Sequence, residues 1–267
     1  MLISIVIPVY NASNYLKRCL DSIVNQLYIE MEIIIIDDFS TDDSLRILEQ
    51  YEKKDKRINV LRNFKNHKAG YCRNKGIKTA TGDYIWFIDA DDWIEPKAIF
   101  TLIEHLNSFS KKIPLLIFGH IEHFPKVEHS ILTRERLPQF LNAKENAFDN
   151  FLKLTNGYLT NPFKYVYSRD LLNKHNILFP ELIYYEDILF VAKAIYYAQN
   201  VEVLPLPIYN YNCQNLNSIT RTFSKEKIYD LIEIYDRLHD FIENQDALEK
   251  YNDELVIRFL IFGLSRC

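Results

Sequence analysis

The sequence predicts an α/β fold, a mainly parallel central sheet flanked by helices with a helical C-terminal extension, and three observations predict it. Over the first hundred residues short β-branched runs alternate with amphipathic helical patterns, the runs are apolar at nearly every position, and polar residues cluster where the runs end. Strands apolar on both faces belong to sheets covered on both sides, and a β-α-β-α-β order makes such sheets parallel.

Ile3 to Val9 has strand length, and from Tyr15 the apolar positions Leu16, Cys19, Leu20, Ile23, Val24 and Leu27 recur at helical spacing. "MEIIIIDD" is a second strand, with Ser40 and Thr41 placed to cap a helix through Leu45, Leu48 and Tyr51. "INVLRN" is a third strand, "KAGYCRNKGIKTA" a helix ending near Gly82, and "YIWFID" a fourth strand, after which Pro96 suits the first turn of a helix. Downstream, "PLLIFG" reads as a strand, 144–155 as a helix, the segment from Glu186 as a helix, Pro205 and Pro207 as a turn region, and 225–243 and 246–264 as amphipathic helices. No repeat or low-complexity linker divides the chain, so it reads as one integrated domain.

Composition narrows the function. A formal charge of -4 gives no global basic surface for nucleic acid. Four cysteines show neither metal-ligand pairing nor a disulfide framework, which points to a reducing cytoplasm. The N-terminus lacks the layout of a signal peptide, and no apolar run has the length of a membrane span, so a soluble protein is expected. The apolar pattern "ELVIRFLIFGLSRC" needs a cover: the core, another subunit, a continuation of the chain, or peripheral contact with the inner face of a membrane.

In open sheets of this kind ligands bind at the carboxyl ends of the strands. Here Asn11 follows the first strand, Asp37 and Asp38 the second, Asn63 to His67 the third, and Asp89, Asp91 and Asp92 the fourth. Three like charges within four positions resist burial unless something positive balances them. Residues two apart on an extended segment point the same way, so Asp89 and Asp91 can address one ligand, and hard oxygen donors suit Mg²⁺ or Mn²⁺ holding a diphosphate. Asp92 or Asp89 could instead cap the helix that starts near Pro96 or pair with Arg73, and for Asp92 that structural role is as well supported as a ligand role. Neither the Walker nor the Rossmann glycine loop is present to cradle phosphates.

"ISIVIPVYN" at 3–11, "DDFSTD" at 37–42, "NHKAGYCRNKG" at 66–76, "DADD" at 89–92 and "YYEDILF" at 184–190 occur in the order of a known motif set. By these motifs the chain resembles the family 2 inverting glycosyltransferases of GT-A fold. The resemblance is specific over 3–96 and looser beyond, where it rests on Glu186-Asp187 and "YNYNCQNLNSIT". It implies a nucleotide-sugar-binding half at 1–110, an acceptor-binding half of the same domain at 111–215, and C-terminal helices from 216 to 267.

It also implies a hexosyl- or N-acetylhexosaminyltransferase that takes a nucleoside diphosphate sugar, UDP-linked by expectation, to a glycan or lipid-linked acceptor in bacterial capsule or lipooligosaccharide synthesis. Pro8, Tyr10 and Asp38 fall at the nucleobase, Asn11 and Ala90 in the donor site, Arg73 at base or phosphate, Asp89 at the ribose or the metal shell, Asp91 at the metal, and Asp187, ahead of Glu186, as general base. Two positions depart from the pattern. Phe39 stands where the family has glycine, which strains any left-handed backbone there, and Cys72 stands where it has alanine.

The rival readings are a sugar nucleotidyltransferase, which would carry a glycine-rich basic loop after the first strand, and a non-catalytic binding protein of the same fold. Weaker features are "HIEH" at 120–123, whose histidines face opposite ways on a strand, and the basic run at 53–68, a solvated face.

Overall fold

The computed structural model describes residues 1–28, 30–125, 131–132, 148, 160–215 and 224–245. Its front half alternates β1 (Ile3–Val9), α1 (Ser13–Val24), β2 (Met31–Asp37), α2 (Ser44–Lys54), β3 (Ile58–Arg62), α3 (Lys68–Thr79) and β4 (Tyr84–Phe87). Then come β5 (Trp93–Ile94), α4 (Ala98–Asn107), β6 (Leu115–His123), β7 (Ile131–Leu132), a 3-10 turn (Pro162–Lys164) and β8 (Tyr165–Ser168). The remaining elements are α5 (Arg169–Lys174), α6 (Glu186–Ala198), β9 (Glu202–Asn212) and α7 (Lys225–Glu243).

These strands form one sheet in the order β3-β2-β1-β4-β8-β6-β9-β5, with β7 on β6. The first four strands are parallel, as the apolar runs require. β8 runs antiparallel between β4 and β6, and β9 lies parallel to β6 but antiparallel to β5, so the back half is mixed.

The continuous apolar character of β2 has a direct cause. Ile34 and Ile36 enter the core that α3 and α6 cover, while Ile33 and Ile35 enter the core beneath α1 and α4. Period-two geometry thus splits one run between two faces, both dry. Gly76 lets α3 lie close against β1: a Cβ there would sit 2.2 Å from Val6 Cγ1.

Three local expectations change. Ser40 and Thr41 do not cap α2; the Ser40 hydroxyl accepts from the Asn11 N–H at 3.1 Å, and the Thr41 N–H donates to Asn11 Oδ1 at 2.8 Å. Pro205 and Pro207 lie inside β9, where the β6 register shifts around Gly119, so they mark a bulge rather than a turn. Pro96 precedes α4, whose N-cap Lys97 is left-handed at φ 68°. α6 begins at Glu186 as expected and α7 matches the predicted 225–243 helix. The helices expected at 144–155 and 246–264 lie outside the described residues, apart from Phe148 in the first.

Candidate active site

The strand order brings the ends of β1, β2 and β4 side by side, and with them the polar residues that follow. The Asp38 N–H donates to the Val9 carbonyl at 2.8 Å, which stitches the Pro8–Asn11 end of β1 to the end of β2. Tyr10 is exposed, Pro8 half-buried and Ala90 buried. The Asp38 carboxylate is buried and already accepts from Asn63 Nδ2 at 2.8 Å and from the His67 N–H. It thereby fixes the turn that launches α3. Beside it Phe39 does adopt the left-handed backbone, at φ 65°, with its ring 43% exposed. Such a conformation costs a non-glycine residue about 1–3 kcal/mol, and strain of this kind gathers at ligand sites.

The three carboxylates after β4 have three different environments. Asp89 Oδ1 accepts from Arg73 Nη2 at 2.8 Å. Asp92 is fully buried; its Oδ2 accepts from the Tyr209 hydroxyl and its Oδ1 from the Asn212 N–H at 2.8 Å. The same Tyr209 oxygen accepts from the Asp89 N–H at 3.2 Å. Burial, with Asp91 and Asp89 close by, pushes the Asp92 carboxyl well up. Asp92 therefore anchors the turn to β9.

Like Asp92, but only half-buried, Asp91 makes no ion pair among the described residues. Its Oδ2 accepts from Asn215 Nδ2 at 2.8 Å, and Arg18 reaches only its backbone carbonyl, at 3.0 Å. Burial, together with repulsion from Asp89, raises its pKa. A half-buried carboxylate beside a second, partly exposed one presents hard oxygen donors and a charge deficit that a divalent cation would relieve, so the residues fit Mg²⁺ or Mn²⁺.

Arg73 links this cluster to α6. Its Nη1 donates to Glu186 Oε1 at 2.8 Å while Nη2 holds Asp89, and its buried Nε–H has no acceptor among the described residues. Although burial opposes its charge, Asp89 and Glu186 on either side hold its pKa above the usual value. Burial pushes Glu186 up, with Arg73 opposing. Asp187, one residue on, is partly exposed, and its Oδ1 accepts from the Ile188 N–H at 3.0 Å. Gly70 permits the approach of α3 to this turn, since a Cβ there would lie 2.5 Å from the Pro180 carbonyl and 3.1 Å from Glu186 Cγ.

Tyr209, Asn212, Asn215 and Arg18 were not individually given a role by the sequence. The alternation in "YNYNC" was the available signal, because it places Tyr209 and Tyr211 on one face and Asn210 and Asn212 on the other. Replacing Tyr209 with Phe removes a donor from buried Asp92 and an acceptor from Asp89. We expect urea unfolding of Tyr209→Phe to show about 2–3 kcal/mol less stability, with an unchanged m-value. The thiols of Cys19 and Cys72 are pushed up by burial, which makes them packing groups.

The glycosyl transferase family 2 profile matches residues 4–174. The putative glycosyltransferase EpsH of Bacillus subtilis is 30% identical over 269 residues, 99% of this chain and 76% of its own length. The poly(ribitol-phosphate) beta-glucosyltransferase of Bacillus spizizenii is 49% identical over 102 residues, 37% of this chain but only 16% of its own length. TarS of Staphylococcus aureus, a poly(ribitol-phosphate) beta-N-acetylglucosaminyltransferase, is 27% identical over 274 residues, 100% of this chain and 45% of its own length. A crystal structure of TarS 1-349 with UDP-GlcNAc matches with a TM-score of 0.77 and 23% identity over 97% of this chain and 72% of that one. The fold is therefore GT-A, and the chain belongs to glycosyl transferase family 2 and is a glycosyltransferase.

Proposed function

We propose that the protein is a metal-dependent inverting glycosyltransferase that moves a hexose or N-acetylhexosamine from a UDP sugar to a glycan or lipid-linked acceptor of a bacterial surface polymer. One observation carries the mechanism: Arg73 is bonded to Glu186 and to Asp89, which commits Glu186 to an ion pair and leaves the base role to Asp187.

An acceptor hydroxyl is a poor nucleophile at neutral pH and must lose its proton as it attacks. Asp187, partly exposed in the first turn of α6, takes that proton while the hydroxyl attacks the anomeric carbon opposite the departing diphosphate. A single displacement inverts that carbon. Asp91 and Asp89 would hold the divalent cation, which when bound offsets the charge developing on the diphosphate. Arg73 keeps Asp89 and Glu186 in place, and its positive charge balances one of them. Tyr10, Pro8, Asn11 and Asp38 form the base and ribose end of the pocket, with Ala90 beneath the ribose.

The UDP-GlcNAc in the TarS 1-349 structure supports the donor assignment, and the beta linkage in two relatives' names supports inversion of an alpha-linked donor. We assign 1–110 to the donor, 111–215 to the acceptor, and the segment from 216 to 267 to support of the acceptor side. Among the described residues no helix is long and apolar enough to cross a membrane; we place the enzyme in the cytoplasm, where UDP sugars are made available to it.

A panel of nucleoside diphosphate sugars, each with Mn²⁺ and with EDTA, tests the reading by thermal unfolding. A UDP sugar at 100 times its Kd adds about 2.7 kcal/mol, which raises Tm on the order of 5–10 °C for a chain of this size. Stabilisation by a GDP or dTDP sugar in place of the UDP sugars would overturn the donor assignment, and equal stabilisation in EDTA would overturn the metal.

A further inference from the structure

We propose that Asp230, on α7, is a positioning residue for sugar transfer that fixes the turn carrying Asp187. The inference rests on the reading of Asp187 as base. Between Phe179 and Glu186 the chain takes two left-handed steps, Leu182 at φ 63° and Tyr185 at φ 62°, and facing it α3 starts at Lys68 with φ 65°. None of the three is glycine or asparagine. Each step costs about 1–3 kcal/mol and persists only where surrounding contacts over-determine the backbone.

Those contacts come from both sides. Upstream, Asn74 holds Phe179 through both its amide nitrogen at 2.9 Å and its amide oxygen at 2.8 Å, and reaches Glu181 at 3.0 Å. The far end is held by Glu186 on Arg73. In the middle, between the two strained residues, the Tyr184 N–H donates to Asp230 Oδ2 at 2.8 Å. The first turns of α7 also enclose the Tyr184 ring. Lys68 Nζ lies 4.0 Å above it, bonded to Glu226 at 2.8 Å and 4.0 Å from Asp230, and Lys227 Nζ lies 5.1 Å from the ring. α7 thus grips the turn three residues before Asp187, between its two left-handed residues.

Removing the Asp230 carboxylate lets Leu182 and Tyr185 relax and displaces Asp187 from the acceptor hydroxyl. A misplacement on the order of 1 Å costs roughly 100-fold in rate. Asp230→Ala is expected to lower kcat roughly 10- to 100-fold, with UDP affinity by calorimetry within about twofold of wild type. Asp230→Asn keeps an oxygen for the Tyr184 N–H and is expected to recover most of kcat.

Wild-type kcat in Asp230→Ala overturns the proposal, as does loss of UDP affinity in step with kcat, which marks general loosening. A kcat in Asp230→Asn as low as in Asp230→Ala overturns it too, since the hydrogen bond would then not be what acts. Asp187→Asn, measured alongside, separates this inference from the one beneath it. Transfer lost in Asp187→Asn but intact in Asp230→Ala removes the clamp alone; transfer intact in Asp187→Asn removes the base assignment.

Discussion

Asp187→Asn should reduce kcat for transfer by roughly 100- to 10,000-fold, the usual contribution of a general base, while leaving UDP-sugar affinity within about twofold. The substitution keeps the size and the hydrogen-bonding oxygen toward the Ile188 N–H, so α6 should start as it does now. What it removes is the basic oxygen. Glu186 cannot take over, because its carboxylate is bonded to Arg73 in the interior and moving it would leave a buried guanidinium short of a partner. Release of UDP followed by chromatography, with acceptor saturating, separates this from a binding defect. Transfer within tenfold of wild type in Asp187→Asn would sink the assignment.

Asp91→Asn should have the opposite signature, loss of donor and metal binding with no loss of fold. Its isosteric amide can still accept from Asn215 Nδ2, so the turn keeps its anchor. Metal-dependent stabilisation by the UDP sugar should vanish, and kcat/KM should fall roughly 100- to 1,000-fold. The metal-free protein should at the same time become no less stable at neutral pH. Burial raises the Asp91 pKa in the native state, so the native state favours a proton that the unfolded chain has already lost above the ordinary carboxylate range. Stability from that difference is full below the unfolded pKa and is lost as pH rises through the raised native pKa, above which the ionised side chain is a burden that the amide removes. Thermal unfolding in EDTA at pH 7, compared between the two proteins, reads this directly. A large drop in Tm would mean that Asp91 is structural.

The front half of the molecule was legible because its signals are local. Apolar runs of strand length, helical spacing from Tyr15 and polar run-ends follow from the chain's own periodicity, and β1 to β4 appear where those signals place them. Asp92 was balanced between a structural and a ligand role in the sequence, since nothing near it names its partners. Its donors, Tyr209 and Asn212, stand 117 and 120 positions away. The resemblance put Arg73 at base or phosphate, and the sequence also allowed it to pair with Asp89 or Asp92. In the fold both terminal nitrogens are bonded to the protein's own carboxylates, a pairing that α3 and α6 create only once they pack. Ser40 and Thr41 misled for a related reason: a loop hydroxyl serves whichever backbone group arrives, and Asn11 arrived from another strand end. The substitution of Phe for glycine at position 39 did announce its strain, and the left-handed φ is there.

The link between the β4 turn and β9 also sets a schedule. A nascent chain that has just emitted "DADD" holds these carboxylates in water, at no cost, until Tyr209, Asn212 and Asn215 emerge about 120 residues later. At about 5–20 residues per second that interval is roughly 6–24 s. The carboxylate cluster after β4 is thus among the last places on the front sheet to close, although its residues are translated among the first. Loop-closure entropy delays such distant pairings further, so a chain stalled on the ribosome before β9 lacks the Tyr209, Asn212 and Asn215 partners of these carboxylates.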